Sequence, residues 1–158
     1  MQSITHWSLS GKLAIFQKKQ RHSLNIYWEQ AGDNSHITLT NFLGSTVLEI
    51  KTNKQLTQIT DQNNEQYTSV DGEKLIKKLS GMDLPVEQLQ LWIKGLPSNA
   101  SFELNADNLL HSLNDKRTDW AVDYLSYQTV QQTNLPYKLQ LVKKDLRLKF
   151  FISKWKIK

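Results

Sequence analysis

The sequence predicts a mainly β protein of ten or eleven antiparallel strands, the count of a large curved sheet or barrel, interrupted once by two short helices. Three observations carry this. Apolar and polar residues alternate with a period of two over most of the 158 residues. Clusters of Gly, Asn and Asp punctuate the alternation at short intervals. Helical periodicity occurs only between residues 70 and 97.

The first half reads as a meander. Leu13 and Ile15 alternate with Lys12 and Ala14, and Leu24, Ile26 and Trp28 alternate with Asn25, Tyr27 and Glu29. Gly32-Asp33-Asn34 turns the chain into a hairpin whose arms carry Ile37 and Leu39, then Leu48 and Ile50. Weaker strands follow at 55–60 and 66–69 around the turn Asp61-Gln62-Asn63-Asn64. At residue 70 the period changes. Asp71 suits an N-cap, Val70 and Leu75 occupy the two positions of a hydrophobic staple, and Gly81 ends the helix. In the second helix Pro85 fits the first turn, Val86, Leu89, Trp92 and Ile93 form the apolar stripe, and Gly95 with Pro97 stops it. Strands resume at 102–104, 109–113 and from Trp120 onward, and a last hairpin pairs Tyr137, Leu139 and Leu141 with Leu146, Leu148, Phe150 and Ile152.

The tip of the central hairpin, Asn41-Phe42-Leu43-Gly44-Ser45-Thr46, is unusual. Gly44 supplies the positive φ of a tight turn and Asn41 can bond the turn backbone. Neither explains Phe42 and Leu43, because a hairpin tip has little core within reach. Two bulky apolar residues there point to an apolar surface outside the domain, or to a neighbouring segment that covers them.

A chain of this length with 39% hydrophobic residues fits one domain, 1–158, that needs no disulfide or metal to fold. There is no cysteine, which removes disulfides, thiolate ligands and a cysteine nucleophile. No apolar run approaches the ~20 residues of a spanning helix. The net charge of +5 is local: residues 137–158 hold eight basic side chains against Asp145 alone, and the remainder carries 12 basic and 14 acidic ones. Such a segment would fit nucleic acid or anionic headgroups, or its lysines would line the wet face of a terminal edge strand. Aromatics interleaved for base stacking are lacking outside Phe150, Phe151 and Trp155, so no nucleic-acid partner is expected.

No catalytic pattern emerges. His6, His22, His36 and His111 stand singly, with no ligand spacing for a metal, and neither a Walker loop, a nucleophile elbow nor a dinucleotide fingerprint is present. Asp119 and Asp123 flank Trp120 on the face opposite its apolar stripe, which is a solvated position. The reading is therefore a non-enzyme without cofactor or metal. A barrel of this strand number with two spare helices can leave an apolar cavity between sheet and helices. Its walls would be Leu13, Ile15, Ile26, Trp28, Leu39, Leu48, Ile50, Trp120 and Tyr124 from strands, with Leu89, Trp92 and Ile93 from the second helix. Ordinary core packing accounts for the same residues.

Thr40 to Thr46, Leu75 to Leu79 with Gly81-Met82, Leu84-Pro85 and Trp92-Ile93-Lys94-Gly95-Leu96-Pro97, in this order and separation, resemble the outer-membrane lipoprotein receptor LolB family. The Gly11-Lys12-Leu13 strand and the Trp120 strand fit as well. The resemblance implies a half-open antiparallel barrel of about eleven strands with a helical lid, the fold shared with the periplasmic carrier LolA. It also implies that acylated lipoproteins pass from LolA to this protein and into the inner leaflet of the outer membrane without nucleotide energy. Leu43 matches the leucine of the family's protruding loop, and Leu89, Trp92 and Ile93 match its lid. Proline often stands where this chain has Phe42. Family members are anchored at the periplasmic face of the outer membrane through an N-terminal cysteine, whereas this chain begins at Met1, so a soluble monomeric form without the anchor is expected. A soluble periplasmic lipid or lipoprotein carrier of the same fold is the alternative.

Overall fold

A computed structural model describes residues 4–81 and 83–158; Met1, read above as standing in for the anchor, and Met82, part of the resemblance, lie outside the described residues. The strands are β1 (His6–Gln17), β2 (Gln20–Ala31), β3 (Asn34–Thr40), β4 (Thr46–Thr52), β5 (Thr57–Asp61), β6 (Gln66–Ser69), β7 (Ser101–Leu104), β8 (Leu110–Asp115), β9 (Trp120–Val130), β10 (Thr133–Lys143) and β11 (Leu146–Ile157); the helices are α1 (Gly72–Ser80) and α2 (Val86–Trp92). They form an open 11-stranded sheet in the order β6-β5-β4-β3-β2-β1-β11-β10-β9-β8-β7. β11 therefore lies inside the sheet, between β1 and β10, and is not the edge strand the sequence suggested. Its lysines are nonetheless on a wet face: Lys138 stands opposite Phe151 and Gln140 opposite Lys149, alternating with the buried pairs Leu139–Phe150 and Leu141–Leu148.

The chain divides into two compact units, one of residues 1–11, 24–86 and 154–158, the other of residues 12–23 and 87–153. The first unit is built in rows. Ile26, Leu39 and Leu48 are in register across β2, β3 and β4, and one step further from the hairpin tip come Trp28, Ile37, Ile50 and Ile59. Every one of these side chains is buried, because adjacent antiparallel partners share a face. The next row is polar: Gln30, Ser35, Thr52 and Thr57. It is satisfied internally. Trp28 Nε1 donates to Gln30 Oε1 at 3.0 Å, Ser35 Oγ to the same oxygen at 2.6 Å, and the Thr52 and Thr57 hydroxyls meet at 2.6 Å. Trp7 packs against Trp28 and Trp155 with both ring centroids at 5.2 Å.

α1 starts as expected, with the Asp71 carboxylate accepting from Lys74 N, and stops at Gly81 in the left-handed region. Gly72 has no substitute there, since any Cβ would overlap the Thr57 side chain. The staple does not form. Val70 is 86% exposed, because the Asp71 amide turns back to bond Ser69 Oγ and directs Val70 outward.

In the second unit Leu113, Val122, Leu141 and Leu148 run in register across β8 to β11, all fully buried. The same row ends at Phe102 on edge strand β7, where it is exposed. β9 and β10 extend beyond the predicted strands to a turn at Gln131 and Gln132, both at positive φ. The two polar arms of this extension give no alternation to read. Asp119 is in the turn before β9, with φ of 65°, and not on the strand itself. β5 begins at Thr57, later than predicted, because Asn53 Oδ1 accepts from Gln55 N and Leu56 N and holds those residues in a turn.

Candidate functional site

The hairpin tip is exposed in full. Phe42 is 88% and Leu43 76% accessible, so no segment of the described chain covers them. The backbone beneath is tightly held. Asn41 Oδ1 accepts from Leu43 N and Ser45 N, both at 3.0 Å; Asn41 N donates to Ser45 O and Gly44 N to Asn41 O, both at 2.9 Å. Gly44, at φ 86°, makes the turn possible where a side chain would be strained. Four hydrogen bonds thus take up the amides of Asn41, Leu43, Gly44 and Ser45 in a five-residue loop that presents two bare apolar side chains. That combination suits entry into a membrane interface, where an unpaired amide is costly and each apolar side chain is favourable.

All twelve residues proposed as cavity walls are buried: Leu13, Ile15, Ile26, Trp28, Leu39, Leu48, Ile50, Leu89, Trp92, Ile93, Trp120 and Tyr124. Within the first unit, Ile26, Trp28, Leu39, Leu48 and Ile50 form the two apolar rows on the tip side of the polar row. A pocket of about 440 Å³ opens at the other end of this hairpin, and none of the twelve lines it. It is bounded by Trp7, Gln30, Lys51, Leu56 and Lys158 among others, so it is not the apolar chamber anticipated.

In the second unit α2 turns Leu89, Trp92 and Ile93 inward. Its last turn is fastened to β9: the Tyr124 hydroxyl donates to Trp92 O at 2.6 Å, and Gly95 N donates to the same carbonyl at 2.9 Å. A bulge between β9 and β10 lets Tyr124 and Tyr127 stack with centroids 6.0 Å apart although they are three residues apart on one strand. Burial pushes both phenols well above their ordinary range, so both remain hydrogen-bond donors, Tyr127 to Leu110 O at 2.7 Å. Burial also pulls the Lys94 ammonium down.

The single histidines stay apart. His36 pairs with Glu49 at 2.8 Å on the outer face, and the described residues hold no cluster of metal-ligating groups. On the outer face of the second unit, Arg21 and Lys149 lie over the Phe16 ring at 5.1 and 5.6 Å, and Lys138 over Phe151 at 5.4 Å. Sequence reasoning missed Trp7 and Gln88, and named Trp155 only among the aromatics of the basic terminal segment. No local signal marks Gln88, an ordinary polar residue on a short helix.

The sequence profile of outer membrane lipoprotein LolB matches residues 5–155. Proteins called outer-membrane lipoprotein LolB are similar throughout: that of Psychromonas ingrahamii is 48% identical over 98% of this chain and 78% of its own length. That of Aeromonas salmonicida is 38% identical over 98% and 79%. Among solved structures, a DUF1329 family protein from Desulfovibrio piger superposes with a TM-score of 0.68 at 8% identity, covering 98% of this chain and 86% of its own. A LolA superfamily protein from Nitrosomonas europaea gives 0.61 at 8% identity, covering 99% and 88%. These two likenesses concern the fold alone.

Proposed function

The chain belongs to the outer membrane lipoprotein LolB family, and from that membership we propose that it takes acylated lipoproteins from a LolA-type carrier and inserts them into the inner leaflet of the outer membrane. Its role is lipoprotein localisation at the outer membrane, and it is not an enzyme. In this reading it acts as one domain and as a monomer, tethered at the membrane by an N-terminal lipid in its full form.

The observation that carries the proposal is the tip: two bare apolar side chains on a loop whose backbone is already hydrogen-bonded. Phe42 and Leu43 enter the lipid interface, and the acyl chains leave beside them. Each unit offers acyl chains its own shelter from water, the apolar rows in the first and the inward face of α2 in the second. Shelter is the whole requirement, because every methylene exposed to water during transfer costs about 0.8 kcal/mol. Handover needs no nucleotide; a tenfold difference in affinity, about 1.4 kcal/mol, moves cargo from carrier to receptor. The wall residues of each unit are buried and must part to admit an acyl chain.

Transfer of an acylated lipoprotein from LolA to this chain, followed by recovery of the cargo in liposomes, tests the proposal. Leu43→Asp should leave folding and cargo uptake unchanged and abolish insertion. Insertion that survives this change would remove the receptor role and leave the soluble-carrier reading.

A further inference from the structure

Among the described residues, three buried side-chain polar atoms lack a hydrogen-bond partner, and two of them, Gln88 Oε1 and Trp92 Nε1, belong to α2. Their residues are four positions apart on a helix, so the two side chains leave one face with about 6 Å of axial rise between their backbones. Trp92 is fully buried, and the neighbouring hydroxyl of Tyr124 is already committed to the Trp92 carbonyl. The comparison with Trp28 is direct: that indole, equally buried, has Gln30 as its acceptor. A chamber for bare hydrocarbon has no use for a free acceptor and a free donor in its wall, since each costs stability while unpaired.

We propose that Gln88 and Trp92 form a recognition site for the secondary amide of an N-acylated cargo. This rests on the reading of α2 as part of the acyl shelter. A secondary amide has one N–H and one C=O on opposite edges of a planar trans unit. Lying along α2, it donates to Gln88 Oε1 and accepts from Trp92 Nε1, which satisfies both wall atoms at once. An ester matches only the tryptophan, because it has no hydrogen to give. The pair therefore distinguishes an amide-linked fatty chain from ester-linked ones and fixes which chain lies under the helix.

Displacement of a fluorescent fatty-acid reporter from the full chain tests this with three probes of equal length: N-methylhexadecanamide, N,N-dimethylhexadecanamide and methyl hexadecanoate. The secondary amide should bind about tenfold more tightly than the other two, the usual weight of one buried hydrogen bond. Gln88→Leu should erase this advantage and leave ester binding unchanged, whereas Trp92→Phe should weaken all three probes. Equal affinity of the unaltered chain for the three probes would overturn the amide site while leaving the acyl shelter intact. Failure of every probe to displace the reporter would overturn both.

Discussion

The hairpin tip and α2 are inverse arrangements. At the tip, large apolar side chains are bare while four of the five backbone amides are paired; on α2, large apolar side chains are buried while two side-chain polar atoms are left unpaired. Each is costly in water and each becomes favourable in a different setting. Lipid accepts the first, and a polar-headed fatty ligand accepts the second. Under the proposed function the difference separates delivery from selection: the tip would choose where cargo goes, and the helix would read its head.

Substitutions can break this contrast from either side. The largest effect is expected at the tip, where Phe42→Ser with Leu43→Ser removes two apolar side chains worth about 1.5–3 kcal/mol each when buried in lipid. Vesicle flotation should fall by two orders of magnitude or more, with an unchanged melting temperature. Next come the two tryptophans. Trp28→Phe strips a donor from a satisfied network, and Trp92→Phe removes a donor that has no partner, so urea unfolding should find the first about 1–3 kcal/mol more damaging than the second. Equal costs would mean that the Trp92 indole is paired in solution. Asn41→Ala should cost about 1 kcal/mol, visible chiefly as faster amide exchange at Leu43 and Ser45.

The smallest effect sharpens the contrast by pH. An unfolded tyrosine ionises at 10.0, while burial raises the phenol of Tyr124 above that. Above pH 10 the unfolded chain therefore holds fewer protons than the folded one, and stability declines as pH rises. Half a unit above 10 the loss is about 0.8 kcal/mol from this group. Tyr124→Phe should remove that part of the alkaline slope, measured by denaturant titration at several pH values.

Much of the architecture was legible because it rests on local signals. Alternation at 24–28, 36–40 and 46–51, the Asp71 cap and the Gly81 stop are each set by neighbouring residues, and they stand where the sequence placed them. What was not legible depended on distant partners. β11 reads as an edge strand because its place between β1 and β10 is decided by a residue pairing across nearly the whole chain. Val70 reads as a staple because the Ser69 hydroxyl that turns it away lies outside the pattern. At the site, Phe42 and Leu43 stood out because apolar residues in a tight turn contradict their setting. Gln88 did not, since a glutamine on a short helix is ordinary until the surrounding packing leaves its oxygen dry. The polar row of Gln30, Ser35, Thr52 and Thr57 was equally hidden: only register brings four scattered polar residues into one line.

The adjacency of β1 and β11 has a consequence for how the molecule comes into being. β1 and its neighbour β11 are separated by nearly the whole of this sequence, so the sheet has a seam that closes only once both strands are present. Until then two fresh edges are available to any passing strand, and such long-range pairing is slow. Removing the last few residues of β11 should therefore harm assembly out of proportion to the surface they cover.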